Sequence, residues 1–371
     1  MKVAIIHDWL VVNGGAEKVL QEIIALYPTA DIYTLVDFLP EDSRDWLKNN
    51  KVYTSFIQKL PFAKSKYRNY FPFFPIAVEQ FDLSEYDLII SSSYCVAKGV
   101  ITSPEQTHVC YCHSPARYAW DLQAQYLKES GMTRGVKSAV IRHFLHKFRI
   151  WDSRTANGVD LFIANSEFIK KRIYKCYRRE AEVINPPVNL SQFQYCDDKQ
   201  DFYLTASRLV PYKRIDLVVE AFTKMPEKKL KVIGDGPEME KLKRLAQGHD
   251  NIELMGFQSN EVLIKTMQQA KAFVFAAEED FGIIPVEAQA CGTPVIAYGK
   301  GGSLETVAAN VSGIHFETQT LSCLMNAINE FENQGTILDY AQVRKHAEKF
   351  SVESFKQNLS TVITRTQEAN A

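Results

Sequence analysis

KAFVFAAEEDFGIIPVE, Lys271–Glu287, decides how the whole chain is read. An apolar run comes first and reads as a buried strand over Ala272–Ala277. Gly282 then frees the backbone. Pro285 has a fixed φ and no N–H, so it suits the first turn of a helix and not its interior. The stretch predicts a strand, a tight loop and a helix starting near Ile284. Glu279 falls in the loop and Glu287 in the first helical turn. At such a start the N–H groups of Ile283 and Ile284 lack intrahelical acceptors, and an anion is favoured there. Glu279 and Glu287 then flank a phosphate-sized pocket. The same residues also fit a capped helix beside a solvated acidic loop.

The pattern repeats in both directions. KVAIIH, a Gly-rich loop and AEKVLQEIIALY give strand, loop and helix at the N-terminus. YDLIISSS, HVCYCHS, LFIANSEFIKKRI and AEVINPPV continue it, and DFYLTASRL, RIDLVVEAF, KLKVIGDGPEMEKLKRL and NIELMGF restart it. Apolar strands separated by helices imply parallel sheets covered on both faces. The di-proline Pro186-Pro187 is a stiff connector, poor in a helix or a central strand. The fold class expected is therefore α/β, with two facing Rossmann-like, doubly wound domains over 1–187 and 188–353. Ligands of such sheets sit beyond the carboxyl ends of the strands, which places the site in the cleft between the domains. The last helical stretch, about 354–371, is free to pack back on either domain.

Composition supports this class. A chain of 371 residues suggests two domains, and 46% hydrophobic with 23% charged residues describes a soluble globular protein. Seven scattered cysteines, with Cys110 and Cys112 as C-x-C, fit free thiols in a reducing compartment. MKVAIIHDW reads as a first strand and not a signal peptide, and no apolar run has membrane-spanning length. Residues 1–187 hold 24 Lys and Arg against 20 Asp and Glu, and residues 188–371 hold 19 against 24. That excess is too small for a duplex nucleic-acid face, so no nucleic-acid partner is expected.

Four further motifs carry chemistry. Gly14-Gly15, between the first strand and helix, lets backbone N–H groups approach a phosphate, or simply makes a tight turn. VIGDGPEM follows a strand and opens a helix, but Gly234-x-Gly236-x-x-Met239 lacks the third glycine of a dinucleotide fingerprint. SRLVPYKR supplies Arg208, Lys213 and Arg214 just after a strand, a guanidinium fork and a mobile ammonium suited to a diphosphate, or a basic loop in solvent. CHSPARYAW places His113 at a strand's carboxyl end, either as a functional group or as a satisfied histidine.

Together SRLVPYKR, VIGDGP and EEDFGIIPVEAQACGTPVIAYGKGGSLETV resemble the retaining glycosyltransferases of GT-B fold, family GT4, over nearly the whole chain. The most specific element is Glu279 and Glu287 as E-x7-E. HDWLVVNGGAEKV and YCHSPARYAWD look most like bacterial mannosyltransferases of O-antigen and other polysaccharide (lipopolysaccharide) assembly. The resemblance implies that the N-terminal domain binds the acceptor. It implies that Arg208 and Lys213 hold the donor diphosphate and that Glu279 meets the transferred sugar while Glu287 binds the ribose. It implies that backbone from Phe281 through Gly282 and Ile283 to Ile284 cradles phosphate, with Gly234 also at the donor. His113 matches a histidine near the anomeric side, and Gly14-Gly15 a loop near phosphate and acceptor. A front-face, oxocarbenium-like transition state then needs no protein nucleophile, and the absence of D-x-D agrees with a metal-independent site.

Three basic, aromatic segments lie in the first half. KLPFAKSKYRNYFPFFP, 59–75, has six aromatics and no acid. Residues 134–151 space Val136, Val140, Phe144 and Phe148 at i+4, with Arg142, His146 and Arg149 largely opposite. KKRIYKCYRR, 170–179, adds six cations. Such mixtures suit an anionic bilayer surface, or else a core with solvated charges. The expectation is a peripheral cytoplasmic enzyme on the inner face of the membrane, moving mannose from GDP-mannose to a lipid-diphosphate-linked saccharide. Alternatives are a UDP-sugar donor (glucose, galactose or GlcNAc), an NAD-dependent oxidoreductase resting on Gly234 and Gly236, and a non-enzymatic sugar-nucleotide-binding scaffold.

Overall fold

The computed structural model, which describes residues 1–334 and 338–370, turns the short apolar runs into strands with almost no exposed face. The first unit comprises Met1–Asn185 and the C-terminal segment from Phe355; the second is Pro186–Ser354. Strands β1 Val3–His7, β2 Asp31–Thr34, β3 Val52–Thr54, β4 Leu88–Ser93, β5 Thr107–Cys112, β6 Leu161–Ala164 and β7 Ala181–Val183 form one sheet in the order β3-β2-β1-β4-β5-β6-β7. In the second unit β8 Gln200–Ala206, β9 Leu230–Ile233, β10 Ile252–Gly256, β11 Ala270–Phe275, β12 Val295–Tyr298 and β13 Gly313–Phe316 are ordered β10-β9-β8-β11-β12-β13. Every pair is parallel, as expected where crossover helices cover both faces.

Register puts Ile5 beside Ile32 on one side and Ile90 on the other. One face of this sheet packs on Val19, Leu20, Ile23 and Ile24 of the helix Gly15–Leu26, whose spacing makes a single apolar stripe. Phe355, Leu359, Val362 and Ile363 of the final helix, Val352–Asn370, fill the rest of that face. Lys356 ties it to Glu22 at 2.7 Å, and Phe355 meets Tyr111 edge-on. The terminal helix therefore belongs to the first unit. In the second unit, Leu217, Val218, Ala221 and Phe222 share one core with Leu324, Ala327, Ile328 and Phe331.

Two boundaries differ from the sequence reading. The strand expected over 272–277 runs Ala270–Phe275, because its ladder to β12 ends at Phe275 opposite Ala297; Ala276 and Ala277 are buried in the loop instead. The following helix is Ile283–Ala290, so Glu287 sits in its second turn, not its first.

A buried charge pair anchors the first unit. Lys98, in the turn after β4, is 1% exposed and its ammonium lies 2.7 Å from the Asp152 carboxylate, itself 0% exposed. Lys98 also donates to the Asp152 carbonyl and to Thr155 Oγ1, while Trp120 Nε1 and Tyr177 Oη donate to Asp152 Oδ2. With both charges hydrogen-bonded, removing one partner strands the other. Asp152→Ala is expected to lower the unfolding free energy by about 3–5 kcal/mol, measured as a urea midpoint at unchanged slope. A loss under about 1 kcal/mol, the range of an exposed pair, would mean that Lys98 finds water.

Candidate active site

In the second sheet β8 and β11 are neighbours, and strand order reverses between them. Their carboxyl ends carry the residues singled out in SRLVPYKR and EEDFG. After β8 the chain runs through an exposed Arg208 into the turn Pro211–Lys213. After β11 it reaches Glu279. Lys213 Nζ and Glu279 Oε1 form an ion pair, at 15% and 19% side-chain exposure. The Arg208 side chain makes no hydrogen bond or ion pair among the described residues, so its guanidinium is available.

Glycines fix both loops by close backbone approach. A Cβ on Gly234 would lie 1.8 Å from the Ser207 carbonyl oxygen, and one on Gly236 would lie 2.4 Å from that of Leu209. Ser207 N–H donates to Ile233 and Leu209 N–H to Asp235, holding Arg208 between them. The two glycines of the dinucleotide-like motif thus lie in close contact with backbone of the same chain. On the other side Gly302 N–H donates to the Glu279 carbonyl at 2.8 Å, and a Cβ on Gly302 would lie 2.3 Å from Phe281 Cα. Phe281 is buried edge-on against Phe350. Gly282 adopts φ 85°, a left-handed conformation, and as N-cap it brings no side-chain acceptor of its own to the helix that follows. Pro285 occupies that helix's third position and Glu287, two residues on, is buried. The helix start at Ile283 and Ile284 therefore keeps the donors and positive end of the dipole that a phosphate needs.

In the first unit His113 follows β5 and is buried. Its Nε2 lies 2.9 Å from Ser92 Oγ at the end of β4, and Ser92 Oγ lies 3.1 Å from His7 Nδ1 at the end of β1. His7 Nε2 is 3.4 Å from Glu17 Oε1, and Gly14 N–H donates to Glu17 Oε2 at 2.9 Å. Gly14 caps the helix Gly15–Leu26 and Gly15 is its first residue. Burial, then the neighbouring His7, pushes the His113 imidazole down to about 3. Asp8 accepts four backbone N–H groups, from Tyr94, Cys95, Val96 and Ala97, at 2.6–2.9 Å. Burial nevertheless holds its carboxyl above the ordinary value.

Sequence reasoning missed His7, Asp8, Glu17 and Ser92 here and Gly301-Gly302 in the second unit. The signal was present: polar residues at the carboxyl ends of VAIIH and LIISSS, and GG after IAYGK. What they touch lies far along the chain.

The basic segments divide. In 59–75, Tyr67 and Phe74 join the core around Trp9, whereas Phe62 is 76% exposed and Phe73 is also outside. On the helix Val136–Thr155, Phe148 is buried but Val136, at 83%, Val140 and Phe144 are exposed. The expected single stripe is therefore split, because the helix turns Ser138, Ile141, Leu145, Phe148 and Asp152 inward, a face that takes in only the last of the four. In 170–179, Arg172 pairs with Asp121 and Arg179 donates to the carbonyls of Ala156 and Val159, so these two cations serve the fold. Among the described residues no helix is long and apolar enough to cross a membrane. All seven cysteines are free.

Residues 13–192 match the model described as Glycosyltransferase Family 4, and 190–350 match Glycosyl transferases group 1. With the two matches running nearly end to end, the chain belongs to the GT4 glycosyltransferases of GT-B fold. An uncharacterized glycosyltransferase of Methanocaldococcus jannaschii is 29% identical over 190 residues, 50% of this chain and 54% of that protein. A GDP-mannose-dependent monoacylated alpha-(1-6)-phosphatidylinositol monomannoside mannosyltransferase of Corynebacterium glutamicum is 36% identical over 114 residues, 27% of this chain and 30% of its own. Alpha-1,3/1,6-mannosyltransferase ALG2 of Saccharomyces cerevisiae is 24% identical over 355 residues, 76% and 67% of the two chains. The chain spans about half the length of the first curated relatives it matches. In fold it is similar to Anabaena HepE in complex with UDP, at TM-score 0.71 and 19% identity, over 98% of this chain and 100% of that one.

Two measurements follow. Gly302→Ala drives a methyl into Phe281 and is expected to weaken nucleoside-diphosphate binding at least tenfold by calorimetry; unaltered affinity would show that the 279–282 loop is not held by this contact. The second concerns acid. His113 and His108 are buried neutral, at about 3 and about 4 against an ordinary 6.5. The unfolded chain binds these protons first, so stability falls as pH drops from about 6.5 toward 3. His113→Gln is expected to flatten that slope between pH 6.5 and 4 in urea titrations.

Proposed function

We propose that this protein is a retaining α-mannosyltransferase that uses GDP-mannose and a lipid-diphosphate-linked saccharide in O-antigen or related polysaccharide assembly. The observation that carries the reading is the Lys213–Glu279 ion pair at the switch point of the second sheet, beside the helix start at Gly282. It brings an ammonium, a carboxylate and backbone donors to one end of the sheet, the set a sugar diphosphate requires. The mannosyl relatives of Corynebacterium and Saccharomyces support the choice of sugar.

In this reading the second unit takes the nucleotide, with Arg208 and Lys213 on the diphosphate, Gly282 to Ile284 supplying N–H groups, and Glu287 on the ribose. Lys213 exchanges part of its bond to Glu279 for phosphate oxygen, and Glu279 turns to the sugar hydroxyls. The bond from the anomeric carbon to the diphosphate oxygen breaks as the acceptor oxygen approaches on the same face, and the acceptor proton passes to the leaving diphosphate. Arg208, Lys213 and the helix start stabilise the charge gathering on that diphosphate, without metal. The first unit takes the acceptor near Gly14-Gly15, and His113 meets the transferred sugar. Exposed Phe62, Phe73, Val136, Val140 and Phe144, among Lys64, Lys66, Lys137 and Lys147, rest on an anionic bilayer on the cytoplasmic side.

The test is release of nucleoside diphosphate from GDP-mannose, GDP-fucose, UDP-glucose, UDP-galactose and UDP-GlcNAc, with EDTA present. Turnover of GDP-mannose alone is expected, and Arg208→Ala should lower kcat by about 10²–10³. Turnover of a UDP-sugar instead would overturn the mannose assignment. Equal kcat in Arg208→Ala would remove that residue from the diphosphate. Sedimentation with anionic vesicles at low salt is expected to carry the protein down; protein left in the supernatant would reject the membrane surface.

A further inference from the structure

Gly14, Glu17, His7, Ser92 and His113 form one line of hydrogen bonds through the carboxyl ends of β1, β4 and β5. Glu17, His7, Ser92 and His113 are all buried, so water does not break the line. Each link needs one donor and one acceptor, and an ionised carboxylate only accepts. His7 Nε2 must then carry its hydrogen toward Glu17. A neutral imidazole has a single N–H, so His7 Nδ1 is an acceptor and takes the Ser92 hydroxyl hydrogen. The Ser92 oxygen is left with lone pairs only, and the hydrogen between it and His113 must sit on His113 Nε2. His113 Nδ1 is then a bare lone pair, and no described residue hydrogen-bonds it.

The neighbouring carboxylate does not compete. Asp8 follows His7 directly, but its oxygens are occupied by the four N–H groups of residues 94–97. The rings around the imidazoles, Tyr94 and Tyr111, meet them edge-on. Glu17 is thus the group that gives the line its direction.

We propose that Glu17, acting through His7 and Ser92, fixes His113 as the Nε2–H tautomer, so that His113 Nδ1 accepts a hydrogen bond from a hydroxyl of the transferred sugar. Glu17, His7 and Ser92 are positioning residues in this scheme, and the sugar contact rests on the reading of His113 given above. The same carboxylate holds the Gly14 N–H, so the glycine loop and the histidine are set by one group. An imidazolium at His7 would instead donate to Ser92, reverse the last two links and make His113 Nδ1 a donor.

Long-range proton–nitrogen correlation spectra of ¹⁵N-histidine-labelled full-length protein at pH 8 test the direction without any donor present. His113 is assigned by its loss in His113→Gln. The expected result is the pure Nε2–H form at both His113 and His7. In Glu17→Gln the amide can donate as well as accept, so direction is lost, and His113 Nδ1 is expected to move from the unprotonated toward the protonated position. Ser92→Ala should give the same mixture and Ser92→Thr should restore the pure form, which covers the case in which Glu17→Gln does not fold. A wild-type Nδ1–H form at His113, or a spectrum unchanged in both Glu17→Gln and Ser92→Ala, overturns the proposal. Adding GDP-mannose is then expected to shift His113 Nδ1. A fixed tautomer with no shift on saturation by a donor would retain the relay but overturn the sugar contact, and with it the role given to His113.

Discussion

Strand order reverses once in each sheet, between β1 and β4 and between β8 and β11. At a reversal the connections of two neighbouring strands leave for opposite faces, so the carboxyl ends between them stay uncovered. The polar groups of both candidate sites lie at or beside such an end. In the second unit the loops after β8 and β11 open there, and Lys213 reaches Glu279 across the gap. In the first unit His7 and Ser92 end the two central strands, and His113 ends the next one along. The chemistry is a consequence of topology before it is one of side chains.

Those open ends are held still by contacts that only glycine permits. Gly234 and Gly236 lie against the carbonyls of Ser207 and Leu209, and Gly301 and Gly302 against Glu279 and Phe281. Backbone pinned to backbone loses little on ligand binding, which is what a site built from loop N–H groups requires. Gly282 works differently, through its left-handed φ, which turns the chain from the loop into the helix.

Burying ionised groups in the first unit would be unfavourable unless each were fully hydrogen-bonded. Asp8 binds the turn after β4 by four N–H groups, and Lys98 from the same turn reaches Asp152 on the long helix Val136–Thr155. The turn between them is held from both sides. Ser92 and Ser93, just before it, are thereby positioned for His113 and the Lys98 backbone N–H. Buried charges held by several hydrogen bonds and an ion pair can specify one arrangement of loops.

Local chain chemistry wrote the strand, loop and helix of Lys271–Glu287, the two α/β series and the cations of SRLVPYKR into the sequence, because apolar runs, glycine and proline act on their own neighbours. The same locality explains the two-residue error in β11, since a strand ends where its partner's ladder ends, not where its own apolar run does. Nor is it local that Gly234 and Gly236 lie against the backbone of Ser207 and Leu209. Surface periodicity could not say that Phe148 is core while Val136 and Phe144 are bare, because that depends on which residues face the helix. Nor could it choose a unit for the terminal helix. The relay from Glu17 to His113 spans almost a hundred residues and exists only because β1, β4 and β5 lie side by side. The sequence determined which groups the protein possesses and the elements that carry them; the tertiary structure alone decided which of them hydrogen-bond, since that depends on distance in space and burial from water.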